Sequence, residues 1–199
     1  MRSKFLREFK ELPYLGHDTF FGLEINSNFR EIDAGILGIP FDFGASFRVG
    51  QRFAPMGIRR ASRIISGVDY FLRNEIFNKF RISDLGDINI QLGHFNKIIK
   101  STERFLDNIP KKLRIVYVGG DHSITYPIIS SLYRRNGKIN LIHFDAHIDV
   151  WDSLYSAEIS HASWLSKLIL ENKIESLLQI GLRGSYYSTD DFEPLKKID

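Results

Sequence analysis

The chain has 199 residues, of which 43% are hydrophobic and 26% are charged, as in folded globular proteins and unlike disordered ones. It contains no cysteine, so disulfides and thiolate ligands are excluded and any metal must be bound through nitrogen and oxygen. The net charge is only +3 and the basic residues occur as isolated pairs, such as Arg59-Arg60, so we expect no nucleic-acid partner. Because there is no apolar run of bilayer length and no secretory signal pattern at the N-terminus, we expect no membrane partner and a cytoplasmic location.

The first half of the chain predicts a strand, a loop and two helices. Residues 34–39 form a short apolar run that Pro40 ends, which is typical of a buried strand. Residues 42–53 are rich in glycine and phenylalanine and predict a structured loop. This loop would line the mouth of a site, contact another subunit, or simply pair its arginines with nearby carboxylates. Pro55 favours the start of a helix over residues 55–65, and an amphipathic pattern predicts a second helix over residues 94–108.

The second half predicts strands at 113–118, 138–144 and 176–180. Ser123 is the predicted cap of a helix that Gly137 ends, Trp164 faces inward on a helix over 163–171, and Thr189 opens a short final helix. Strands that alternate with helices predict parallel βαβ units, with ligands at the carboxyl ends of the strands. With no repeat or linker, we expect one domain over residues 1–199.

Four possible metal ligands follow two of these strands. His122 lies in the sequence Gly-Gly-Asp-His-Ser after one strand, and Asp145, His147 and Asp149 occupy alternate positions after the next. An extended backbone directs alternate side chains to one side, so we expect the four to converge. Such a set suits Mn²⁺, Fe²⁺ or Zn²⁺, and the carboxylates favour Mn²⁺. One carboxylate could bridge two ions that together lower the pKa of a shared water. In the alternative interpretation, Gly-Gly-Asp-His-Ser by itself is simply a turn followed by a capped helix.

His161 is a candidate catalytic residue. It follows Asp149 by 12 residues, in the sequence Ser-His-Ala-Ser. A histidine in a loop near a metal site could shuttle protons, since its pKa lies near neutrality. In the alternative interpretation, Ser160 or Ser163 caps the next helix and His161 has no role.

These motifs, in this order, resemble the signatures of the ureohydrolase (arginase/agmatinase) superfamily, and residues 40–60 resemble its agmatinase branch. The resemblance implies an α/β fold, a three-layer α/β/α sandwich with a mostly parallel sheet, as in arginases and deacetylases. It also implies hydrolysis of a guanidino group at a binuclear Mn²⁺ centre. By this resemblance His122, Asp145 and Asp149 would bind one Mn²⁺, and His147 the other, with Asp145 bridging. His161 would match a loop histidine proposed as a proton shuttle.

The sequence also departs from the family pattern. A later serine followed by Asp-x-Asp has no counterpart, since Asp190 and Asp191 are adjacent, and a later glutamate that meets the guanidinium is missing. The resemblance therefore implies that the C-terminal part of the domain is missing. The second metal site would then keep only Asp145 and His147. We expect each chain to retain at most one Mn²⁺, and a parallel sheet edge to be exposed.

The resemblance leaves several functions open. Residues 150–158 lack the Ser-Gly-Asn-type loop with which arginases hold an α-amino acid group, which favours hydrolysis of agmatine to putrescine and urea. Guanidinobutyrase, arginase and formimidoylglutamase activities are alternatives. A different alternative is a non-catalytic chain that assembles with intact ureohydrolases. A small guanidino substrate and a homo-oligomer, either a trimer or a hexamer, are implied as partners.

Overall fold

Parallel strands form two sheets in the computed structural model, which describes residues 17–26, 28–65, 67–68, 71, 76–90, 95–154, 157–186 and 188–198. In the first sheet β1 (Ala34–Ile39) lies between β2 (Ile82–Asp87) and β3 (Arg114–Gly119). In the second sheet β4 (Ile139–Phe144) pairs with β5 (Ile174–Ile180). The parallel α/β architecture is confirmed. The strands form two sheets and not one, because β3 and β4 are not hydrogen-bonded to each other within the described residues.

Helices connect the strands. The α-helices are α1 (Ala54–Ser62), α2 (Ile76–Lys79), α3 (Phe95–Asp107), α4 (Thr125–Asn136) and α5 (Trp164–Leu170), and short 3-10 helices include His122–Ile124 and Thr189–Lys197. The predicted helix over 55–65 is shorter, and the start predicted at His94 lies outside the described residues. Gly137 ends α4 with a φ of 83°, as predicted. None of the described helices combines the length and apolarity needed to cross a membrane.

β2 was not predicted from the sequence, because its central residues are polar. Ser83 and Asp84 are buried, and Asp84 is held by Arg59 of α1. The Arg59 guanidinium donates to both Asp84 oxygens, at 2.9 and 3.1 Å, and to Asp87 Oδ1 at 2.7 Å. A strand whose inward residues are an acid and a serine has no apolar run that would reveal it.

The first core lies on one face of the first sheet. Leu37 and Ile39 of β1 are buried there with Leu106 of α3 and Ile128 of α4. Gly38 faces the opposite side, where α1 packs so closely that a Cβ on Gly38 would lie 3.0 Å from Pro55 Cβ. Helices therefore cover both faces of this sheet, as expected for an α/β sandwich.

The second core lies under β4 and β5. In this core α5 packs against Ile174 of β5. Its residues Trp164, Leu165 and Leu168 are almost fully buried. Helix α4 contributes Ile129 to this core, so α4 packs into both cores. On the other face of the second sheet, large apolar side chains are exposed at Ile142, Phe144, Leu178 and Ile180.

Candidate metal centre

A sharp turn after β3 positions the first candidate ligand. Gly120 adopts a φ of 46°, and a Cβ there would lie 2.4 Å from the carbonyl oxygen of Phe41, so only glycine fits. Asp121 then caps the 3-10 helix that carries His122, since its carboxylate accepts from the Ser123 amide at 2.8 Å. The predicted cap at Ser123 is therefore wrong. The Asp121 carboxylate is the cap instead, and its other oxygen accepts from Gly44 N.

His122 converges with the two aspartates that follow β4. Its Nδ1 lies 2.7 Å from Asp149 Oδ2 and 3.5 Å from Asp145 Oδ2. His122, His143, Asp145 and Asp149 each present one ligand atom, and these atoms all lie within 4.8 Å of one another. The structure thus brings three of the four predicted ligands together and adds His143.

The segment from Asp145 to Asp149 is not extended, contrary to the prediction. Strand β4 ends at Phe144, the chain bends at Ala146 and His147, and Asp149 has a φ of 55°. Left-handed backbone is costly for a residue with a side chain and is found where the surroundings hold it in place. Here the indole N–H of Trp164 donates to Asp149 Oδ2 at 2.8 Å, which anchors the buried carboxylate.

His147 lies beside the compact group but outside it. Its side chain is 76% exposed, and its Nδ1 lies 3.1 Å from Asp145 Oδ1. The two oxygens of Asp145 therefore face different histidines, Oδ1 towards His147 and Oδ2 towards His122. Burial raises the pKa of Asp145, but the His147 amide and the neighbouring imidazoles outweigh it and hold that pKa below its ordinary value.

His143 was not assigned a role from the sequence. It is 5% exposed, and its ring lies 5.1 Å from that of His122 and 5.3 Å from that of Trp164. Burial, together with the charge of His122, lowers the pKa of His143. The sequence did contain a signal for His143: it precedes Asp145 by two residues and so extends the alternate positions of Asp145, His147 and Asp149.

His161 is held by the loop that follows β1. Its Nδ1 donates to the carbonyl oxygen of Gly44 at 2.5 Å, since a carbonyl can only accept. Nε2 is then the nitrogen that can accept a proton, and it lies 3.4 Å from Ser46 Oγ. The loop also contains an ion pair, in which Arg52 Nε donates to Asp42 at 2.7 Å. The pairing of Arg52 agrees with one interpretation of residues 42–53, that their arginines pair with nearby carboxylates.

An open cleft of about 510 Å³ adjoins these residues. No lysine or arginine is among its described lining residues, which are Ser46, His147, Ile148, Asp149, Trp151, Ser153, Leu154, His161, Ala162, Ser185 and Tyr186. A smaller depression shares Trp151 and Ser153 with it and is lined by three acids, Asp152, Asp190 and Asp191. The cleft is large enough for a small molecule, and its described wall offers no cation.

Known proteins resemble this chain in sequence and in fold. Guanidinobutyrase of Pseudomonas aeruginosa is 32% identical over 169 residues, which cover 83% of this chain and 53% of that protein. Mitochondrial agmatinase of Gallus gallus is 29% identical over 94% of this chain and 55% of its own length. The structure of proclavaminate amidinohydrolase from Streptomyces clavuligerus superposes with a TM-score of 0.85 at 29% identity, over 94% of this chain and 63% of that one.

The chain thus spans about half the length of the curated relatives that it matches. The model of the arginase family matches residues 32–198, which include all four sequence-predicted ligands and His161. With the fold and the motif order in agreement, this chain belongs to the arginase family.

Proposed function

We propose that this chain is a Mn²⁺-dependent hydrolase of a guanidino compound, and that agmatine is its preferred substrate, giving putrescine and urea. The observation that carries the proposal is the meeting of His122, Asp145 and Asp149 at the carboxyl ends of β3 and β4. The membership of the arginase family supports hydrolysis of a small guanidino substrate.

The residues fit a divalent cation. Asp149 is buried and Asp145 is partly buried, and within the described residues their ion pairs are with histidines and not with lysine or arginine. Buried carboxylates without a fixed cation favour binding of one from solution. His122, Asp145 and Asp149 would hold one ion, and Asp145 with His147 the other. Mn²⁺ held by these residues would supply Lewis acidity and would lower the pKa of a water molecule at the site towards neutrality.

His161 is the proposed proton carrier. Its Nδ1 is committed to Gly44, so protons would be accepted and released at Nε2, which faces Ser46 beside the cleft. We expect His161→Gln to lower kcat by about 100-fold while Mn²⁺ affinity is retained. A variant that lost metal along with turnover would contradict this role.

The charge of the cleft favours agmatine. A guanidino acid needs a cation near its carboxylate, whereas the far end of agmatine is an ammonium that suits acidic surroundings. The described cleft wall contains no lysine or arginine, and the adjoining depression contains three aspartates. Guanidinobutyrate is the second candidate, because the similarity to guanidinobutyrase is a specific observation in its favour.

Urea release from a panel of substrates tests the proposal. The purified chain with added Mn²⁺ would be given agmatine, guanidinobutyrate, guanidinopropionate and arginine, with formimidoylglutamate assayed by its own product. Agmatine should have the highest kcat/KM. Asp149→Asn should abolish both Mn²⁺ binding and turnover, whereas the matched control Asp152→Asn should keep its Mn²⁺ affinity. Turnover of guanidinobutyrate above agmatine would reverse the choice of substrate.

Absence of turnover with the whole panel would instead favour the non-catalytic alternative. The exposed apolar face at Ile142 and Phe144 would then be relevant, since a subunit of a larger assembly needs such a surface. A single domain over residues 1–199, a cytoplasmic location, retention of at most one Mn²⁺, and a trimeric or hexameric assembly remain proposals.

A further inference from the structure

The side chain of His143 has an unusual environment for a histidine beside a metal centre. It is 5% exposed at the end of β4, and its register partner on β5 is Gln179. The Nε2 of Gln179 lies 2.9 Å from His143 Nδ1 and 3.1 Å from the carbonyl oxygen of Ile148. These two contacts involve one amide nitrogen.

The Ile148 carbonyl fixes the orientation of the Gln179 amide. A carbonyl oxygen only accepts, so the Gln179 atom that faces it must be the NH₂ group. The second hydrogen of that group points at His143 Nδ1, which must therefore accept. A neutral imidazole whose Nδ1 accepts carries its hydrogen on Nε2.

The other nitrogen of His143 faces the candidate ligands. His143 Nε2 is buried and has no hydrogen-bond partner among the described residues. It lies 3.7 Å from Asp145 Oδ2 and 3.8 Å from Asp149 Oδ2. These distances exceed a hydrogen bond, so a small movement of either carboxylate would complete one.

We propose that Gln179 sets the tautomer of His143, so that His143 presents an N–H to the carboxylates of Asp145 and Asp149 and orients them without binding the metal. The proposal rests on the proposed metal centre. A histidine that binds a metal almost always donates its other ring N–H to an acceptor. His143 shows the opposite arrangement, because its other nitrogen faces a donor. His143 is thus a positioning residue, and Gln179 determines which of its ring nitrogens carries the hydrogen.

Nitrogen NMR of the full chain, labelled with ¹⁵N-histidine, tests the tautomer without metal. The His143 signals are assigned by their loss in His143→Gln. We expect a protonated Nε2 and an unprotonated Nδ1, and after addition of Zn²⁺ the Nε2–H coupling should persist. A metal-free Nδ1–H tautomer, or loss of the Nε2 proton on addition of Zn²⁺, would overturn the proposal. Gln179→Met should remove the tautomer preference, and an unchanged spectrum would count against it.

Mn²⁺ affinity, measured by calorimetry, supplies the second test. His143→Gln keeps an N–H donor and should retain affinity within about tenfold, whereas His143→Leu should lose about 10–100-fold. Equal losses in both variants, as large as that of Asp149→Asn, would identify His143 as a ligand and overturn the proposal. If the unaltered chain bound no metal, the proposed function would fail, and the metal-free spectrum would still decide the tautomer.

Discussion

The chain buries carboxylates in two places, and their partners differ. Asp84 of β2 is fully buried against the Arg59 guanidinium, and the amides of Phe20 and Gly86 also donate to it. Asp149 is also buried, but its described side-chain partners are the imidazoles of His122 and His143 and the indole of Trp164. A fixed cation balances the first carboxylate, whereas neither lysine nor arginine pairs with the second among the described residues. Burial of an acid alone therefore does not predict a metal site, and the kind of partner has to be considered as well.

Removal of the Arg59 guanidinium should have the largest effect on stability. We expect Arg59→Met to lower the free energy of unfolding by about 3–5 kcal/mol, because Asp84 would remain buried without a counterion. Urea denaturation with and without Mn²⁺ measures this. The control is Arg81→Met, which breaks an exposed ion pair with Asp33 and should lower the free energy of unfolding far less, because solvent screens that pair. Equal effects of the two variants would show that the Arg59 pair is no more important than a surface pair.

Under the proposed function, added Mn²⁺ should stabilise the folded chain through Asp149. At a Mn²⁺ concentration of about 100 times its Kd, binding to the folded chain adds about 2.7 kcal/mol to the free energy of unfolding. Asp149→Asn should remove this gain. Asp84→Asn should retain it, although its free energy of unfolding without metal should be lower. Thermal unfolding over a Mn²⁺ titration distinguishes the two variants. Equal stabilisation of Asp149→Asn and of the unaltered chain would contradict the comparison.

Loss of the hydrogen bond from the Trp164 indole to Asp149 should have a smaller effect. Trp164→Phe keeps an aromatic ring in the second core and removes the N–H that donates to Asp149 Oδ2. We expect Mn²⁺ affinity to fall by about 10–100-fold. Calorimetry would use Trp151→Phe as the control, because Trp151 lines the cleft and should have little effect on metal affinity. An unchanged affinity in Trp164→Phe would mean that Asp149 needs no anchor.

Acidification should have the smallest effect on stability. Burial raises the pKa of Asp84, but the hydrogen bonds from Arg59, Phe20 and Gly86 outweigh it and hold that pKa below its ordinary value of 3.8. A depressed pKa contributes stability that is complete above 3.8 and is lost as the pH falls through the folded value.

In Arg59→Met, burial would instead raise the pKa of Asp84, so acidification would favour folding at this site. The difference in unfolding free energy between the unaltered chain and the variant should therefore narrow between about pH 6 and pH 3. Metal-free urea denaturation at both pH values measures that difference. A constant difference would mean that Asp84 is not the group that titrates.

Apolar periodicity predicted four of the strands and failed where polar residues are buried. β1 and β4 were predicted within a residue of their observed bounds, because their apolar runs are bounded by breakers. β2 was missed since its inward Asp84 depends on Arg59, which is 25 residues away. No local pattern records such a pairing.

The candidate site was predicted in outline and differs in detail. The convergence of His122 with Asp145 and Asp149 was predicted from their places after two consecutive strands, and the structure brings these three side chains together. The bend that places His147 apart, and the anchoring of Asp149 by Trp164, depend on contacts between distant segments. Whether these residues bind a metal remains a prediction.

Helix α4 links the two halves of the molecule. Its neighbouring residues Ile128 and Ile129 belong to different cores, and Leu132 packs against both. Loss of either core would strip one side of this helix, so the two sheets should melt in a single cooperative transition. An ion bound at His122, just before α4, should then slow hydrogen exchange in both β1 and β5 to a similar degree.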